Sequence, residues 1–156
     1  MGVGSDGGFA PLLQQLIEGK FRAAYIVGED LLSLPNGEKI LSALEKLSFL
    51  VVQESHLTPT ARLAHVVLPA TNFAEKEGTY TNRKGRLQKL NAALVPPAGA
   101  LQDWEIFARL QGKAGEKVSY LTPAQIFQAI SNGIPRYRGL SYVRIGDQGV
   151  QLSDET

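Results

Sequence analysis

The chain has 156 residues, of which 44% are hydrophobic and 20% are charged, so it is long enough to bury one substantial core. Its formal net charge of +1 gives no sign of a basic face for nucleic acid, and no overall charge excess selects a partner. The absence of cysteine excludes disulfides, thiolate chemistry, iron–sulfur ligation and cysteine zinc sites within these residues.

The N-terminal residues are rich in glycine and contain the pattern G-x-G-x-x-G at Gly2, Gly4 and Gly7. A dinucleotide-binding loop needs a strand that leads into this pattern and a helix that follows it, and no strand precedes Gly2 here. We therefore predict a flexible entry segment over residues 1–9. No apolar run approaches the roughly 20 residues of a membrane span and no signal core is present, so we expect a soluble chain in the cytoplasm.

Apolar strands alternate with amphipathic helices in the first half of the chain. Strands are predicted at Phe21–Val27, Phe49–Val52 and Val66–Leu68. Helices are predicted over Ala10–Lys20, after an N-cap at Asn36, and over Pro59–Ala64 after an N-cap at Thr58. The short connections imply parallel βαβ units with right-handed crossovers. The predicted fold class is α/β, a three-layer, parallel Rossmann-like sheet flanked by helices.

The second half of the chain has a less regular pattern. The charged segment Lys76–Gln88 has no apolar face, so we expect an irregular surface run that orders only against other domains. The following run to Val95 fits either an extended segment or a helical turn. Further helices are predicted at Ala100–Leu110, with Gly112 as its stop, and from Thr122-Pro123 to Gly133, and the remainder is predicted to be an irregular strap. We expect residues 10–156 to form a single α/β domain.

Polar residues follow the predicted strands. In open parallel sheets, ligands bind outside the carboxyl ends of the strands, which directs attention to Gly28-Glu29-Asp30, to Gln53-Glu54 and to the residues after Pro69. These groups could converge on one rim. The alternative that they are ordinary polar turns stays open.

A series of short segments, in order, resembles the molybdopterin oxidoreductase superfamily. This superfamily includes formate dehydrogenases, periplasmic nitrate reductases and the large G subunit of NADH-quinone oxidoreductase (respiratory complex I). The similar segments are Ile26–Glu29, Val51–Gln53, Thr58–Ala61, Val66–Ala70, Glu75–Thr79, Asn82, Gly85-Arg86, Gln88, Pro96-Pro97 and Asp103-Trp104. The resemblance extends from about Pro11 over most of the chain.

The resemblance implies that residues 10–156 are part of a domain excised from a larger chain. The expected function is that of a structural domain in a protein similar to the large G subunit, supporting electron transport from NADH to quinone through iron–sulfur clusters elsewhere in the parent. One alternative is part of a molybdenum-dependent formate dehydrogenase or nitrate reductase that binds the guanine dinucleotide end of the cofactor. Another alternative is a free-standing nucleotide-binding module. We expect the fragment alone to carry no cofactor and to be inactive, and its parent to be an oxidoreductase.

The resemblance also implies a cofactor-binding set, which has no catalytic residue and no metal ligand. Its members are Gly28, Glu29, Asp30, Gln53, Glu54, Lys76 and Asp103. A carboxylate can accept both N–H donors of a guanine edge, and a lysine offsets phosphate charge. Asp30 stands where the family has Asn, and Glu54 is one methylene longer than the usual Asp, so the site could be vestigial.

Several of these polar residues also have purely structural interpretations. Asp103 could be the N-cap of the following helix. His56 and His65 lack a third ligand, so we expect solvent-facing or hydrogen-bonded histidines rather than a metal site.

The resemblance finally implies partners and a location. The expected partners are the remaining domains of the parent and other subunits of a respiratory complex, with neither nucleic acid nor direct insertion into a membrane. The expected location is cytoplasmic, peripheral to the inner membrane through that complex.

Overall fold

The computed structural model describes residues 8–118 and 120–152. The chain divides into two compact units, Met1–Ala70 and Thr71–Thr156, which we call unit 1 and unit 2 and describe separately. Most of the predicted flexible entry segment falls on residues 1–7, which lie outside the described residues. Its last residue, Phe9, begins the first helix.

Unit 1 is built on a parallel sheet. Its strands are β1 (Ala23–Val27), β2 (Phe49–Glu54) and β3 (Val66–Pro69), in the order β1-β2-β3. Its helices are α1 (Phe9–Ile17), α2 (Gly37–Leu44) and the short α3 (Pro59–Arg62), and a 3-10 turn spans Leu31–Ser33. The predicted α/β class, with a parallel sheet flanked by helices, is confirmed.

The core of unit 1 lies between one face of the sheet and the helices. Leu50 and Val52 of β2 are buried there with Ile40 and Leu44 of α2, and Leu16 of α1 joins the same cluster. Burial of these aliphatic side chains stabilises the unit by about 1.5 to 3 kcal/mol for each. The helical spacing of Ile40, Leu44 and Leu47 predicts this inward face, and all three are buried in the core.

The opposite face of the sheet is apolar but exposed. Successive residues of a strand point to opposite faces, so Tyr25, Val27, Phe49 and Val66 share this second face. Between 38% and 47% of each side chain is exposed. Since parallel sheets are normally covered on both faces, this face is unusual for a complete domain.

His65 fixes the start of β2 against the start of β3. Its Nδ1 accepts a hydrogen bond from the backbone N–H of Leu50 at 3.0 Å, and its own backbone N–H donates to the Leu50 carbonyl at 2.9 Å. An accepting Nδ1 places the ring proton on Nε2. The ring also lies 5.7 Å from that of Phe49. His65 is therefore a hydrogen-bonded structural histidine, as expected.

We predict that His65→Ala lowers the free energy of unfolding of unit 1 by about 1 to 2 kcal/mol, because the buried Leu50 N–H loses its acceptor. His65→Asn is the matched control, since an amide oxygen can take the place of Nδ1. Urea unfolding followed by hydrogen exchange at the Val52 amide measures both changes. Equal losses for Ala and Asn would show that the ring contact with Phe49 matters and the hydrogen bond does not.

The predicted N-caps at Asn36, Thr58 and Thr122 are confirmed, with one difference in mechanism, whereas the helix predicted from Ala100 begins at Asp103. Thr58 accepts from the Ala61 N–H at 3.1 Å and Thr122 accepts from the Gln125 N–H at 3.3 Å. Asn36 occupies the N-cap of α2, but in a left-handed conformation (φ 68°) without a side-chain cap. Asparagine is used there because it tolerates positive φ, and not because its side chain caps the helix.

Unit 2 contains a three-stranded antiparallel sheet that sequence reasoning missed. Its strands are β4 (Gly78–Thr81), β5 (Arg86–Leu90) and β6 (Val150–Gln151), in the order β4-β5-β6. The prediction of an irregular run over Lys76–Gln88 was wrong, because most of that run is a hairpin. The hairpin turn is held by Asn82, whose Oδ1 accepts from the N–H groups of Lys84 and Arg86, and by Gly85 at φ 77°.

The C-terminal part of unit 2 adds the edge strand β6 to this sheet and packs helices against it. Its helices are α4 (Asp103–Lys113), α5 (Pro123–Gly133) and α6 (Tyr142–Ile145), with a 3-10 turn at Pro135–Tyr137. Leu87, Phe127, Ile145 and Leu152 form the core of the unit. The predicted strap is thus a short helix and a strand that contribute to the core. Gly112 does not stop α4, which continues to Lys113 before Gly115 turns the chain at φ 85°.

Over residues 8–118 and 120–152, every helix is too short or too polar to cross a lipid bilayer.

Candidate functional site

The carboxyl ends of β1 and β2 lie side by side in unit 1, as predicted. The N–H of Gly28 donates to the carbonyl of Gln53 at 2.9 Å, which extends the parallel pairing by one residue. Gly28 then turns the chain at φ 64°, a conformation that costs other residues about 1 to 2 kcal/mol. The turn leads to the exposed Glu29 and the half-buried Asp30. Gly28, Glu29, Asp30, Gln53 and Glu54 therefore form one rim, which we call the strand-end rim.

Asp30 connects the strand-end rim to α3. Its Oδ1 accepts from both the backbone N–H and the hydroxyl of Thr60, and the N–H distance is 3.0 Å. The Thr60 hydroxyl oxygen in turn accepts from the N–H of Leu32 at 3.1 Å. Thr60 is fully buried, so these three hydrogen bonds hold the loop after β1 against the first turn of α3. Asp30 has a structural role in this chain, and sequence reasoning missed Thr60 because nothing distinguishes it from other threonines near a helix start.

Glu54, at the end of β2, has one oriented carboxylate oxygen. Its Oε1 accepts from the N–H of Ser55 at 2.7 Å and from the Ser55 hydroxyl at 3.1 Å. Within the described part of the chain, Oε2 has no hydrogen-bond donor. The side chain is half-buried, so this second oxygen is a fixed acceptor at the rim. The Ser55 hydroxyl also lies 2.9 Å from Nδ1 of the exposed His56.

Gln53 is placed differently from the other members of the rim. Its side chain is fully buried, and its Oε1 accepts from the hydroxyl of Tyr25 on the neighbouring strand. Its backbone carbonyl accepts from Gly28. Contact between the Gln53 side chain and a ligand would require displacement of these neighbours, so Gln53 supports the strand ends in this structure.

Lys76 and Asp103 form an ion pair in unit 2. Nζ of Lys76 lies 2.6 Å from Oδ2 of Asp103, and the side chains are 29% and 32% exposed. Asp103 is the first residue of α4, where a carboxylate also interacts favourably with the helix dipole. The N-cap is Gln102, whose N–H donates to the carboxylate of Glu105 at 3.0 Å. The interpretation of Asp103 as an N-cap is therefore wrong.

A cavity of about 420 Å³ adjoins this ion pair within unit 2. Its lining includes Lys76, Glu77, Asp103, Trp104 and Tyr142. The Tyr142 hydroxyl is buried and has no hydrogen-bond partner among the described residues. Burial raises the pKa of Tyr142, and the negative charge of Glu77 raises it further, so the hydroxyl keeps its proton at neutral pH. The cavity combines aromatic walls with a cation and an unused donor, as ligand sites commonly do.

The structure brings the predicted site residues together in two groups. Five of them form the strand-end rim of unit 1, and Lys76 and Asp103 form the pair in unit 2. Sequence reasoning did not identify Tyr142, because an isolated tyrosine after a serine carries no periodic or motif signal.

Comparison with known proteins gives one family and several close relatives. The family described as molybdopterin oxidoreductase matches residues 2–113. The F420-dependent formate dehydrogenase 2 subunit alpha of Methanococcus maripaludis is 43% identical over 135 residues, which are 85% of this chain and 20% of the relative. The F420-dependent formate dehydrogenase subunit alpha of Methanocaldococcus jannaschii is 44% identical over 129 residues, 81% of this chain and 19% of the relative. This chain spans about a fifth of the length of these curated relatives.

A solved structure shares the fold. Acetylene hydratase from Pelobacter acetylenicus superposes with a TM-score of 0.58 at 20% identity, over 68% of this chain and 15% of that one. The formate dehydrogenase alpha subunits correct the finer expectation from the sequence, which favoured the large G subunit of NADH-quinone oxidoreductase. They support the alternative that named formate dehydrogenase.

Proposed function

Because this chain belongs to the molybdopterin oxidoreductase family, we propose that it is a segment of the large subunit of a formate dehydrogenase and holds the guanine dinucleotide end of a molybdopterin cofactor. Identity above 40% to two formate dehydrogenase alpha subunits supports this assignment. The metal end of such a cofactor supplies the redox chemistry when bound, and the contribution of this chain is binding and orientation.

The observation that carries the proposal is the geometry of Glu54. Ser55 donates two hydrogen bonds to Oε1 and thereby orients the carboxylate at the end of β2. Oε2 is left available as an acceptor. Guanine presents two adjacent N–H donors on one edge, and Oε2 of Glu54 keeps two lone pairs that can accept from them. The donor and acceptor chemistry of this rim therefore fits a guanine.

Within unit 2, Lys76 and Asp103 have the chemistry to bind a phosphate group of a cofactor. The ammonium group of Lys76 has three donors, of which the pair with Asp103 uses one, so it can still donate to a phosphate oxygen. Asp103 holds the lysine head in place. We assign Lys76 the role of a phosphate ligand and Asp103 that of its positioning residue.

The position of Asp30 also fits this function. A free carboxylate beside a pyrophosphate would repel it, but the Asp30 Oδ1 already accepts from two donors of Thr60. These donors offset part of its charge. Asp30 is then a support of the rim, and the substitution of Asp for Asn at this position does not by itself make the site vestigial.

The exposed face of the parallel sheet supports the view that other parts of a parent protein surround this chain. Tyr25, Val27, Phe49 and Val66 form an apolar patch of a kind that complete domains cover. The curated relatives are about four times as long as this chain, which is sufficient to cover the patch. The same comparison weakens the alternative of a free-standing nucleotide-binding module.

The test is titration of the chain with GDP, followed by the amide NMR signals of Gly28, Glu29 and Ser55. We expect saturable shifts with a dissociation constant no tighter than millimolar, because most of the cofactor cradle lies in the rest of the parent. Glu54→Gln should weaken binding at least tenfold, since one charge-assisted interaction is worth about 1.5 to 3 kcal/mol. Glu45→Gln, on the exposed end of α2, is the matched control.

ADP provides the discriminating comparison, because the adenine edge lacks the paired N–H donors of guanine. We expect weaker shifts with ADP than with GDP. Equal binding of the two nucleotides, or GDP binding that survives Glu54→Gln, would contradict the assignment of Glu54 to the base.

A further inference from the structure

The basic residues of the chain are unevenly distributed, which the overall charge of +1 conceals. Unit 1 contains five of the 16 lysine and arginine residues and an excess of acidic ones. Unit 2 contains the other eleven, against eight acidic residues. The expectation that charge selects no partner therefore needs revision for unit 2.

Three of these charges meet at the turn of the β4–β5 hairpin. Arg83 and Lys84 are exposed in the turn itself. Arg136, from the 3-10 turn before α6, reaches over Gly85, and its Nη2 lies 3.0 Å from the point where a Cβ on Gly85 would be. Adjacent Cα atoms are about 3.8 Å apart, so the Arg136 guanidinium lies within a few residues' width of the Cα atoms of Arg83 and Lys84. We call Arg83, Lys84 and Arg136 the basic tip.

The backbone that carries the basic tip is held firmly. The Gln151 side chain donates to the carbonyl of Lys84 at 2.7 Å, and the N–H of Leu152 donates to the carbonyl of Gly85 at 3.0 Å. Next to Arg136, the carbonyl of Tyr137 accepts from the buried Ser131 hydroxyl at 2.9 Å, and the Tyr137 ring packs edge-on against Phe127. The position of the cluster is thus fixed by the core of unit 2.

None of the three charges has a carboxylate partner in the described part of the chain. The ion pairs of unit 2 are Lys76–Asp103 and Lys89–Asp147. Like charges within a screening length of about 8 to 10 Å repel one another, so the tip raises the free energy of unit 2 unless an anion binds it.

We propose that the basic tip is a docking surface for an acidic surface of another protein or domain, one that presents two or more carboxylates within reach of Arg83, Lys84 and Arg136. Arginine binds carboxylates through two parallel hydrogen bonds, and Arg136, whose guanidinium lies beside Gly85 in the turn, is the central contact. This inference concerns unit 2 and is independent of nucleotide binding at the strand-end rim.

The hydrogen bonding of the turn favours a carboxylate-bearing protein over a phosphate ligand. Phosphate-binding loops offer several free backbone N–H groups, whereas here the N–H groups of Lys84 and Arg86 donate to Asn82 Oδ1 and that of Gly85 donates to the Asn82 carbonyl. A nucleic acid backbone typically engages about 6 to 10 phosphates, more than three side chains can contact. Short acidic protein surfaces match the size of the tip.

The test uses a fluorescently labelled hexaglutamate peptide and measures its anisotropy with the full chain at low and at physiological salt. The triple variant Arg83→Gln, Lys84→Gln and Arg136→Gln should bind about 3- to 150-fold more weakly, because three exposed ion pairs with the peptide are lost. The matched control is Lys39→Gln, Lys46→Gln and Arg62→Gln, which removes the same charge from exposed positions of unit 1. Circular dichroism verifies that both variants fold.

Two outcomes would overturn the proposal. Equal weakening by both triple variants would show attraction to overall charge and no docking surface. Tighter binding of a polyphosphate or a single-stranded oligonucleotide of the same charge would assign the tip to a phosphate polymer. GDP titration of the tip variant should be unchanged, so failure of this inference is distinguishable from failure of the proposed cofactor function.

Discussion

Gly149→Ala is expected to lower the free energy of unfolding of unit 2 by about 2 to 5 kcal/mol. Gly149 has φ 72°, which costs other residues about 1 to 2 kcal/mol. A Cβ there would also lie 2.5 Å from the carbonyl oxygen of Leu87 and 2.7 Å from Cγ of Gln88. The Leu87 backbone cannot retreat without breaking its pairing with β6, and its side chain is buried in the core. Overpacking of this kind adds about 1 to 3 kcal/mol.

Gly115→Ala separates backbone strain from close approach. Gly115 has φ 85°, but no atom lies within 4 Å of an added Cβ, so only about 1 to 2 kcal/mol should be lost. Trp104 is the single tryptophan of the chain and belongs to unit 2, so its fluorescence in urea reports the unfolding of this unit. Coincident unfolding curves for the two variants would mean that the approach of Gly149 to Leu87 does not matter.

Asp30→Ala is expected to lower the free energy of unfolding of unit 1 by about 2 to 4 kcal/mol. The substitution removes the acceptor for two donors of Thr60, which is fully buried, and each unsatisfied buried donor costs about 1 to 3 kcal/mol. Hydrogen exchange at the Ile40 and Val52 amides measures the stability of this unit, which has no tryptophan.

Asp30→Asn tests whether the charge or the geometry of Asp30 matters. An amide Oδ1 can accept from the same Thr60 donors, so most of the stability should return, and GDP affinity should rise because a negative charge near the phosphates is gone. If Asp30→Asn lowers the free energy of unfolding as much as Asp30→Ala, the negative charge of Asp30 is required for its interaction with Thr60.

The sequence predicted best those elements whose buried residues form a recognisable apolar pattern. The strands of unit 1 are continuous apolar runs, and the starts of α3 and α5 carry a threonine followed by proline. The β4–β5 hairpin was missed because its two strands fully bury a single side chain, Leu87, which leaves no alternation of apolar residues to detect. Asn82 and Gly85 are residue types that favour turns. The hydrogen bonds of Asn82 to Lys84 and Arg86, however, can be identified only in the folded hairpin.

The candidate site was predicted in part for the same reason. Strand ends in a parallel sheet meet at one edge by geometry, so the neighbourhood of Gly28 and Glu54 followed from the strand pattern. The pairing of Lys76 with Asp103 joins positions 27 residues apart through tertiary structure. The resemblance placed both residues in the cofactor-binding set but did not predict that they pair. The burial of Gln53 and the hydrogen bonds between Asp30 and Thr60 depend on side-chain packing, which a linear pattern does not encode.

The pairing of β5 with β6 also bears on the order of folding during synthesis. Arg86 binds the carbonyl of Gln148 through its guanidinium group, and these residues are 62 positions apart. A ribosome adding about 5 to 20 residues per second needs roughly 3 to 12 s to span that interval. Unit 1 ends at Ala70 and can fold first. Until β6 is synthesised, one edge of the nascent hairpin is unpaired and Leu87 is exposed. That interval is when the emerging chain is most exposed to chaperones and to mispairing.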